Sequence, residues 1–262
     1  MFKFTRKNKR ELAVICTFLF IVTFIFIWII QNIGLPIETK VENGHIKVID
    51  VSKYNHKVNW KKVKDSQINH AVLKIGSGAG KKKKGTEDPM FISNYRNAKI
   101  SSIHCGVYYY SYAKDAKEAV KEAKHCVSLL KKHDIDPEDL KLPVVFDIEE
   151  EEVMKTGKKN VTALTRAFCE EIKRAGYEPM VYSNAYFLKH YFDYEGIKAY
   201  KLWVAHYTKE EEPDIPFQYH MWQFTDQASV PGANTESGHC DLNYYLTDKE
   251  GNLLLEKSKK RH

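Results

Sequence analysis

Leu142-Pro143-Val144-Val145-Phe146-Asp147-Ile148-Glu149-Glu150-Glu151-Glu152 is an apolar run that ends abruptly in acid. Its β-branched and aromatic residues, starting just after a proline, read as a buried strand. Asp147 and Glu149 are two positions apart, so on a strand both side chains leave the same face. At about 3.3 Å rise per residue their Cα atoms would lie roughly 6.6 Å apart. Glu150 would then point to the opposite face. Two carboxyls so spaced can meet one reacting centre, one held protonated to donate a proton while the other stays charged, the division of labour used in glycoside hydrolysis. The same letters also describe a strand that ends in a solvated acidic loop. The surrounding chain separates the two readings.

On the N-terminal side, His45-Ile46-Lys47-Val48-Ile49-Asp50-Val51-Ser52 reads as a strand with an aspartate near its end, and Asn59-Trp60 as a helix start. Ala71-Val72-Leu73-Lys74-Ile75 and Cys105-Gly106-Val107-Tyr108-Tyr109-Tyr110 are further strands. Phe91, Tyr95 and Ala98 share one helix side. Ala116, Ala119, Val120, Ala123, Val127 and Leu130 follow a helical period. On the C-terminal side, Leu164, Phe168 and Ile172 stripe a helix that stops at Gly176. Pro179-Met180-Val181-Tyr182-Ser183, Lys201-Leu202-Trp203-Val204-Ala205 and His220-Met221-Trp222-Gln223-Phe224 complete seven strands. Strand and helix alternating in one chain predict α/β with a parallel sheet. Asp50, Asp147, Glu149, Tyr182 and Ser183 gather at strand C-terminal ends, where a (β/α) barrel builds its active site. After Tyr194 strand outweighs helix, so the barrel is expected to be irregular.

The chain has 262 residues, 43% of them hydrophobic, enough for a sizeable core. The net charge of +7 is not concentrated as in a nucleic-acid-binding protein. Lys3, Arg6, Lys7, Lys9 and Arg10 precede residues 12–30, a stretch without charge that as a helix would be about 28 Å long. The basic flank orients such a span with its C-terminal side outward. Trp28-Ile29-Ile30-Gln31-Asn32-Ile33 offers no small-x-small cleavage site, which favours an uncleaved anchor over a signal peptide. The expected organisation is a cytoplasmic basic segment at 1–11, a transmembrane anchor at 12–30, a linker at 31–44 and an extracytoplasmic domain at 45–262. The expected location is the cell membrane, crossed once.

Gly76-Ser77-Gly78-Ala79-Gly80-Lys81 follows a strand, yet a phosphate-binding loop needs glycine where Ile75 stands and Ser or Thr where Lys82 stands. The four lysines at 81–84 read as a solvated loop, with binding to anionic wall polymers as the alternative. Cys105, Cys126, Cys169 and Cys240 match no zinc spacing and are expected as buried free thiols. The histidines show no metal-site spacing either, so no metal or cofactor is called for. Asn160-Val161-Thr162 fits a glycan acceptor formally, but it also fits a helix start, the commoner explanation.

Taken in order, Ile49-Asp50-Val51-Ser52, Asn59-Trp60, Asp88-Pro89-Met90-Phe91, Gly106-Val107-Tyr108-Tyr109-Tyr110, Asp147-Ile148-Glu149, Val181-Tyr182-Ser183, Leu202-Trp203-Val204-Ala205-His206-Tyr207, Met221-Trp222-Gln223-Phe224 and Asp241-Leu242-Asn243 resemble glycoside hydrolase family 25, the Chalaropsis-type N-acetylmuramidases. The resemblance implies a (β/α)5β3 barrel and hydrolysis of the β-1,4 bond between N-acetylmuramic acid and N-acetylglucosamine in peptidoglycan glycan strands. It implies Glu149 as general acid, Asp147 as its partner, and Asp50 and Asp241 completing an acidic cluster. It also implies Tyr109, Tyr110, Tyr182, Trp203, Tyr207, Trp222 and Gln223 as substrate-binding residues, with ordinary barrel core as the alternative for each aromatic. One departure stands out: where the family commonly has Lys-Ala-Thr-Glu-Gly, this chain has Lys74-Ile75-Gly76-Ser77-Gly78 and lacks a cleft-edge glutamate. A chitinase-type motif is excluded, because Val145 and Leu142 stand where it needs aspartates. The rival of another class is a membrane-tethered wall-binding or scaffold protein with the same fold and weak catalysis.

Overall fold

Side-chain alternation divides the barrel strands between two cores. In β1 (His45–Val51), Ile46 and Val48 face one apolar cluster while Ile49 and Val51 face another. β2 (His70–Ser77) splits likewise, with Val72 on the first side and Ala71, Leu73 and Ile75 on the second. The two cores are the inside of a barrel and the layer between barrel and helices. The computed structural model describes residues 44–80, 84–248 and 252–253. The expected anchor at 12–30 and the lysines at 81–83 lie outside the described residues. Among the described residues no helix is long and apolar enough to cross a membrane.

The two-residue strand β3 (Thr86–Glu87) folds back antiparallel on the end of β2. β4 (His104–Tyr110), β5 (Val144–Asp147), β6 (Pro179–Asn184), β7 (Lys201–Ala205) and β8 (Met221–Ala228) continue the sheet in parallel from β1 and β2. β9 (Cys240–Leu246) then pairs antiparallel with both β8 and β1 and closes eight strands into a barrel. α1 (Trp60–Asp65), α2 (Phe91–Ile100), α3 (Ala116–Lys132), α4 (Glu151–Met154) with α5 (Lys158–Arg174), and α6 (Ala185–Tyr191) with α7 (Tyr194–Ile197) follow β1, β2 with β3, β4, β5 and β6 in turn. Five strand–helix units are thus succeeded by three strands, the irregularity expected after Tyr194.

Local chemistry sets the helix limits. Asp115 caps α3 by accepting from the Glu118 amide at 2.8 Å, and Asn184 caps α6 by accepting from that of Phe187 at 2.8 Å. α5 ends where Gly176 takes φ +91. There Gly176 N–H donates to Lys173 O and Tyr177 N–H to Ile172 O, the paired bonds of a Schellman stop. The apolar stripes of α3 and α5 lie against the outer faces of the strands, where Phe168 stacks on Phe146 with centroids 4.2 Å apart.

Cys105, Cys126, Cys169 and Cys240 are buried and free. Asn160 donates to Lys114 O at 2.7 Å and to Thr156 Oγ1 at 2.8 Å, so it anchors the start of α5 to the loop before α3. Two expectations need correction. The sequence pattern did not reveal β9 as a strand, because its barrel-facing positions Asp241 and Asn243 are polar and break the apolar alternation. β5 ends at Asp147, so Glu149 lies in the segment just beyond the strand.

Candidate active site

At the C-terminal end of the barrel, the positions facing inward are polar. Asp50 of β1 stands directly opposite Asp241 of β9 in the strand register. Asp50 Oδ2 accepts from Asn243 Nδ2 at 2.7 Å and from Gln223 Nε2 at 3.2 Å. Asn243 also donates to Val48 O and accepts from Trp203 Nε1 at 2.9 Å. Gln223 Oε1 in turn accepts from the hydroxyls of Tyr182 and Tyr207, each at 2.9 Å. Four side chains from β6, β7, β8 and β9 thus lock Asp50 of β1 in one orientation, with Tyr207 joining from the loop after β7.

The segment carrying the other two acids is held from both sides although β5 has ended. Ser111 N–H donates to Asp147 O at 2.8 Å, and Ile148 N–H donates to Tyr182 O at 3.1 Å. The Ser183 hydroxyl donates to Ile148 O at 2.6 Å. Ile148 is buried in the outer core, so Asp147 and Glu149 on either side of it turn toward the barrel mouth. Asp147 Oδ1 is buried and has no hydrogen-bond partner among the described residues. Glu150 does not behave as a residue on an opposite strand face. It precedes α4, accepts from the Tyr110 hydroxyl at 2.8 Å, and adds its charge to the same acidic group. The strand stops one turn too early for the alternation to reach it.

Burial governs the electrostatics. It holds Asp147 well above the ordinary carboxylate range, reinforced by repulsion from Glu149 and opposed by Lys74. Glu149 is raised by burial as well, again opposed by Lys74 and reinforced by Glu150. Asp50 is raised by burial against the pull of its hydrogen bonds from Asn243 and Gln223. Asp241 is pushed up to about 8, first by burial and then by Asp50. Groups this close titrate as a unit, so the cluster keeps protons in a range where free carboxyls have lost them. Such an arrangement can lend a proton to a bound oxygen while presenting negative charge beside it.

A family profile settles whose architecture this is. Glycosyl hydrolases family 25 matches residues 49–233, most of the barrel. The chain belongs to this family. Among relatives, YegX of Escherichia coli O6:H1 is 26% identical over 205 residues, covering 75% of this chain and 68% of that protein. Among solved structures, the modular autolysin LytC from Streptococcus pneumoniae is 26% identical with a TM-score of 0.65, over 76% of this chain. The match spans 46% of LytC, a protein also solved in complex with a synthetic peptidoglycan ligand. The CTP1L endolysin is 26% identical with a TM-score of 0.64, over 78% of this chain and 67% of its own.

Within this family 25 glycosyl hydrolase, the predicted substrate-binding aromatics divide by strand parity. Tyr110, Tyr182 and Tyr207 surround the acids with Gln223. Trp203 also faces inward, but it is almost wholly buried beneath Tyr182, ring centroids 4.4 Å apart, and serves as floor. Tyr109 and Trp222 face the outer core instead. Tyr109 is fully buried near Phe168, its hydroxyl donating to Gly78 O at 2.6 Å, and Trp222 Nε1 donates to His206 O at 2.8 Å. Two residues were missed. Tyr108 lies in the barrel with burial, Asp50 and Asp147 all pushing its phenol far up. Lys74 Nζ lies 4.5 Å from the Tyr110 ring centroid and 5.7 Å from that of Tyr108. Parity was the available signal: with Tyr110 inward, Tyr108 follows and Tyr109 cannot.

The family departure after β2 also has a physical account. A Cβ at Gly76 would stand 2.5 Å from Thr86 O and 2.9 Å from Leu129 Cδ1, so only glycine lets β3 lie this close. Ser77, where the family carries glutamate, pairs its hydroxyl with Thr86 Oγ1 at 3.1 Å. A neutral hydroxyl tied to β3 thus stands at the position of that glutamate.

Proposed function

We propose that this protein is a peptidoglycan muramidase that hydrolyses the β-1,4 bond between N-acetylmuramic acid and N-acetylglucosamine, acting at the cell wall from a membrane anchor at residues 12–30. The observation that carries the reading is the convergence of Asp50, Asp147, Glu149 and Asp241 on one barrel mouth, with burial raising all four. Family membership and the peptidoglycan-bound relative LytC support the substrate class.

In this mechanism Glu149, beyond the strand end and less buried than Asp147, donates its proton to the glycosidic oxygen as the bond breaks. Asp147, with an oxygen that no donor among the described residues satisfies, takes the substrate's acetamido N–H or faces the positive charge developing at the anomeric carbon. Lys74 holds part of the acidic charge in check so that the site is not protonated throughout. Tyr182, Tyr207 and Gln223 give hydrogen-bonding tips beside an aromatic wall suited to the apolar side of a sugar ring. The full-length protein incubated with purified peptidoglycan should release new reducing ends, and mass analysis should find muramic acid at them. Newly exposed N-acetylglucosamine would reject the bond assignment. Binding without any release would favour the wall-binding reading.

A further inference from the structure

The barrel mouth carries a track of tyrosines running outward from the acid cluster. It starts at Tyr110, whose hydroxyl donates to Glu150 at 2.8 Å. The ring of Tyr112, two residues on, lies 5.1 Å from that of Tyr110 at an interplanar angle of 52°. Tyr54, on the turn after β1, is 64% exposed. Burial pushes the Tyr112 phenol up, and Glu150 and then Tyr54 push it further, so Tyr112 stands within the electrostatic reach of both.

These side chains are presented on pinned backbone. Around Tyr54, the Ser52 amide donates to Asn55 Oδ1 at 3.0 Å, the Lys53 amide to Asp88 Oδ2 at 3.0 Å, and Asn55 Nδ2 to Ala233 O at 2.7 Å. Around Tyr112, its own amide donates to Oε1 of the fully buried Glu122 at 2.9 Å, while the Ser111 hydroxyl donates to Oε2 at 2.6 Å. Burial raises Glu122 to about 7, and these two bonds pull against that rise. A rigid turn that leaves a large aromatic ring in water forgoes burial, and it is preorganised to receive a partner. Lys53 Nζ stands 5.1 Å from the Tyr54 ring centroid. On the far side of the acids, beyond β5 and β6, Tyr207 is 53% exposed. Aromatic surface therefore lies on both sides of the cluster, as a chain threading across the mouth would need.

We propose that Tyr54 and Tyr112, together with Tyr110, form an outer subsite that stacks a pyranose ring of the glycan strand on the β1 and β4 side of the acid cluster. A sugar is the occupant the chemistry favours, because its C–H face packs on an aromatic ring while its hydroxyls reach phenol oxygens and Lys53. The subsite deepens the muramidase reading and rests on it.

The test uses the full-length protein carrying Glu149→Gln, so that bound glycan is not cut. Adding Tyr54→Ala and Tyr112→Ala together should weaken binding of peptide-free glycan strands roughly 5–20-fold. Affinity for a single disaccharide fragment should stay at the parent's value, because such a fragment fills only the acid cluster. Tyr54→Phe with Tyr112→Phe should keep most of the strand affinity, since the rings remain. Strand binding unchanged by the alanine pair would overturn the subsite. So would a loss confined to strands that carry stem peptides, which would make the tyrosines a peptide platform. Failure of the muramidase reading shows separately, as a Glu149-intact protein that releases no reducing ends.

Discussion

The two ends of the barrel interior are built from the same strands, one alternation step apart. At the lower end Val48, Val72, Val145, Met180, Met221 and Tyr245 interdigitate in a closed apolar cluster. Two residues along each strand, those positions become Asp50, Lys74, Asp147, Tyr182, Gln223 and, on the reversed β9, Asn243 followed by Asp241. Fully burying an aliphatic side chain contributes about 1.5–3 kcal/mol, so the lower end stabilises the barrel. The upper end works against it, since each buried carboxyl is shifted toward its neutral form. Chemistry has been placed where the strands are already fixed by packing below, and at a cost in stability that the lower cluster offsets.

The sharpest way to separate the two ends is to change the upper one without touching the packing. Glu149→Gln keeps the shape and removes the transferable proton. Release of reducing ends from peptidoglycan should fall by about 10²–10⁴-fold, the usual contribution of general acid catalysis. The unfolding midpoint should stay at or above that of the parent, because a raised carboxyl has been neutralised. A variant retaining near-normal release of reducing ends would move the general acid elsewhere in the cluster.

Stability should respond in opposite directions at the two ends. Met180→Ala, in the lower cluster, should cost about 2–5 kcal/mol at every pH. Asp241→Asn should do the reverse, and only at higher pH. Asp241 binds its proton more tightly folded, at about 8, than unfolded, at about 4. Folded protein therefore holds more protons between those values, and its stability falls as pH rises through that window, with the full penalty above it. The asparagine variant escapes that penalty, gaining stability near pH 9 and nothing near pH 3. Thermal unfolding followed across pH checks both, and a gain at pH 3 equal to that at pH 9 would refute the electrostatic account.

Much of this division was legible in the sequence. Short apolar runs alternating with amphipathic helices predicted the barrel, and acids at strand ends marked its functional mouth. What escaped notice follows from parity and from strand termination. Tyr108-Tyr109-Tyr110 is uniform in letters, yet alternation sends the outer two inward and Tyr109 to the helices, where it meets His125 Nδ1 at 2.6 Å. Met221-Trp222-Gln223 hides the same choice: both Trp222 and Gln223 are expected at the substrate, and alternation keeps only Gln223 there. β9 was missed because a strand lining a polar site lacks the apolar alternation that betrays strands elsewhere. No local pattern shows that β5 stops at Asp147, since Ser111, Tyr182 and Ser183, distant in sequence, hold the chain at Asp147 and Ile148.

Glu150 gives the finest probe of that boundary. Had the strand continued, Glu150→Gln would alter a residue on the far face and change nothing at the site. In the structure its carboxylate accepts from Tyr110 and raises both Asp147 and Glu149. Glutamine can still accept from the tyrosine hydroxyl, so the local geometry should persist while one negative charge disappears. The acid pair then loses a source of repulsion, its protons are held less tightly, and the alkaline limb of the activity profile should move to lower pH. At a pH on that limb the loss should be a few-fold, because one pKa unit corresponds to about tenfold at most. Activity measured from pH 4 to 9 on the same peptidoglycan would show the displacement. A profile superimposable on the parent's would mean that Glu150 is silent, as it would be on the opposite face of a longer strand.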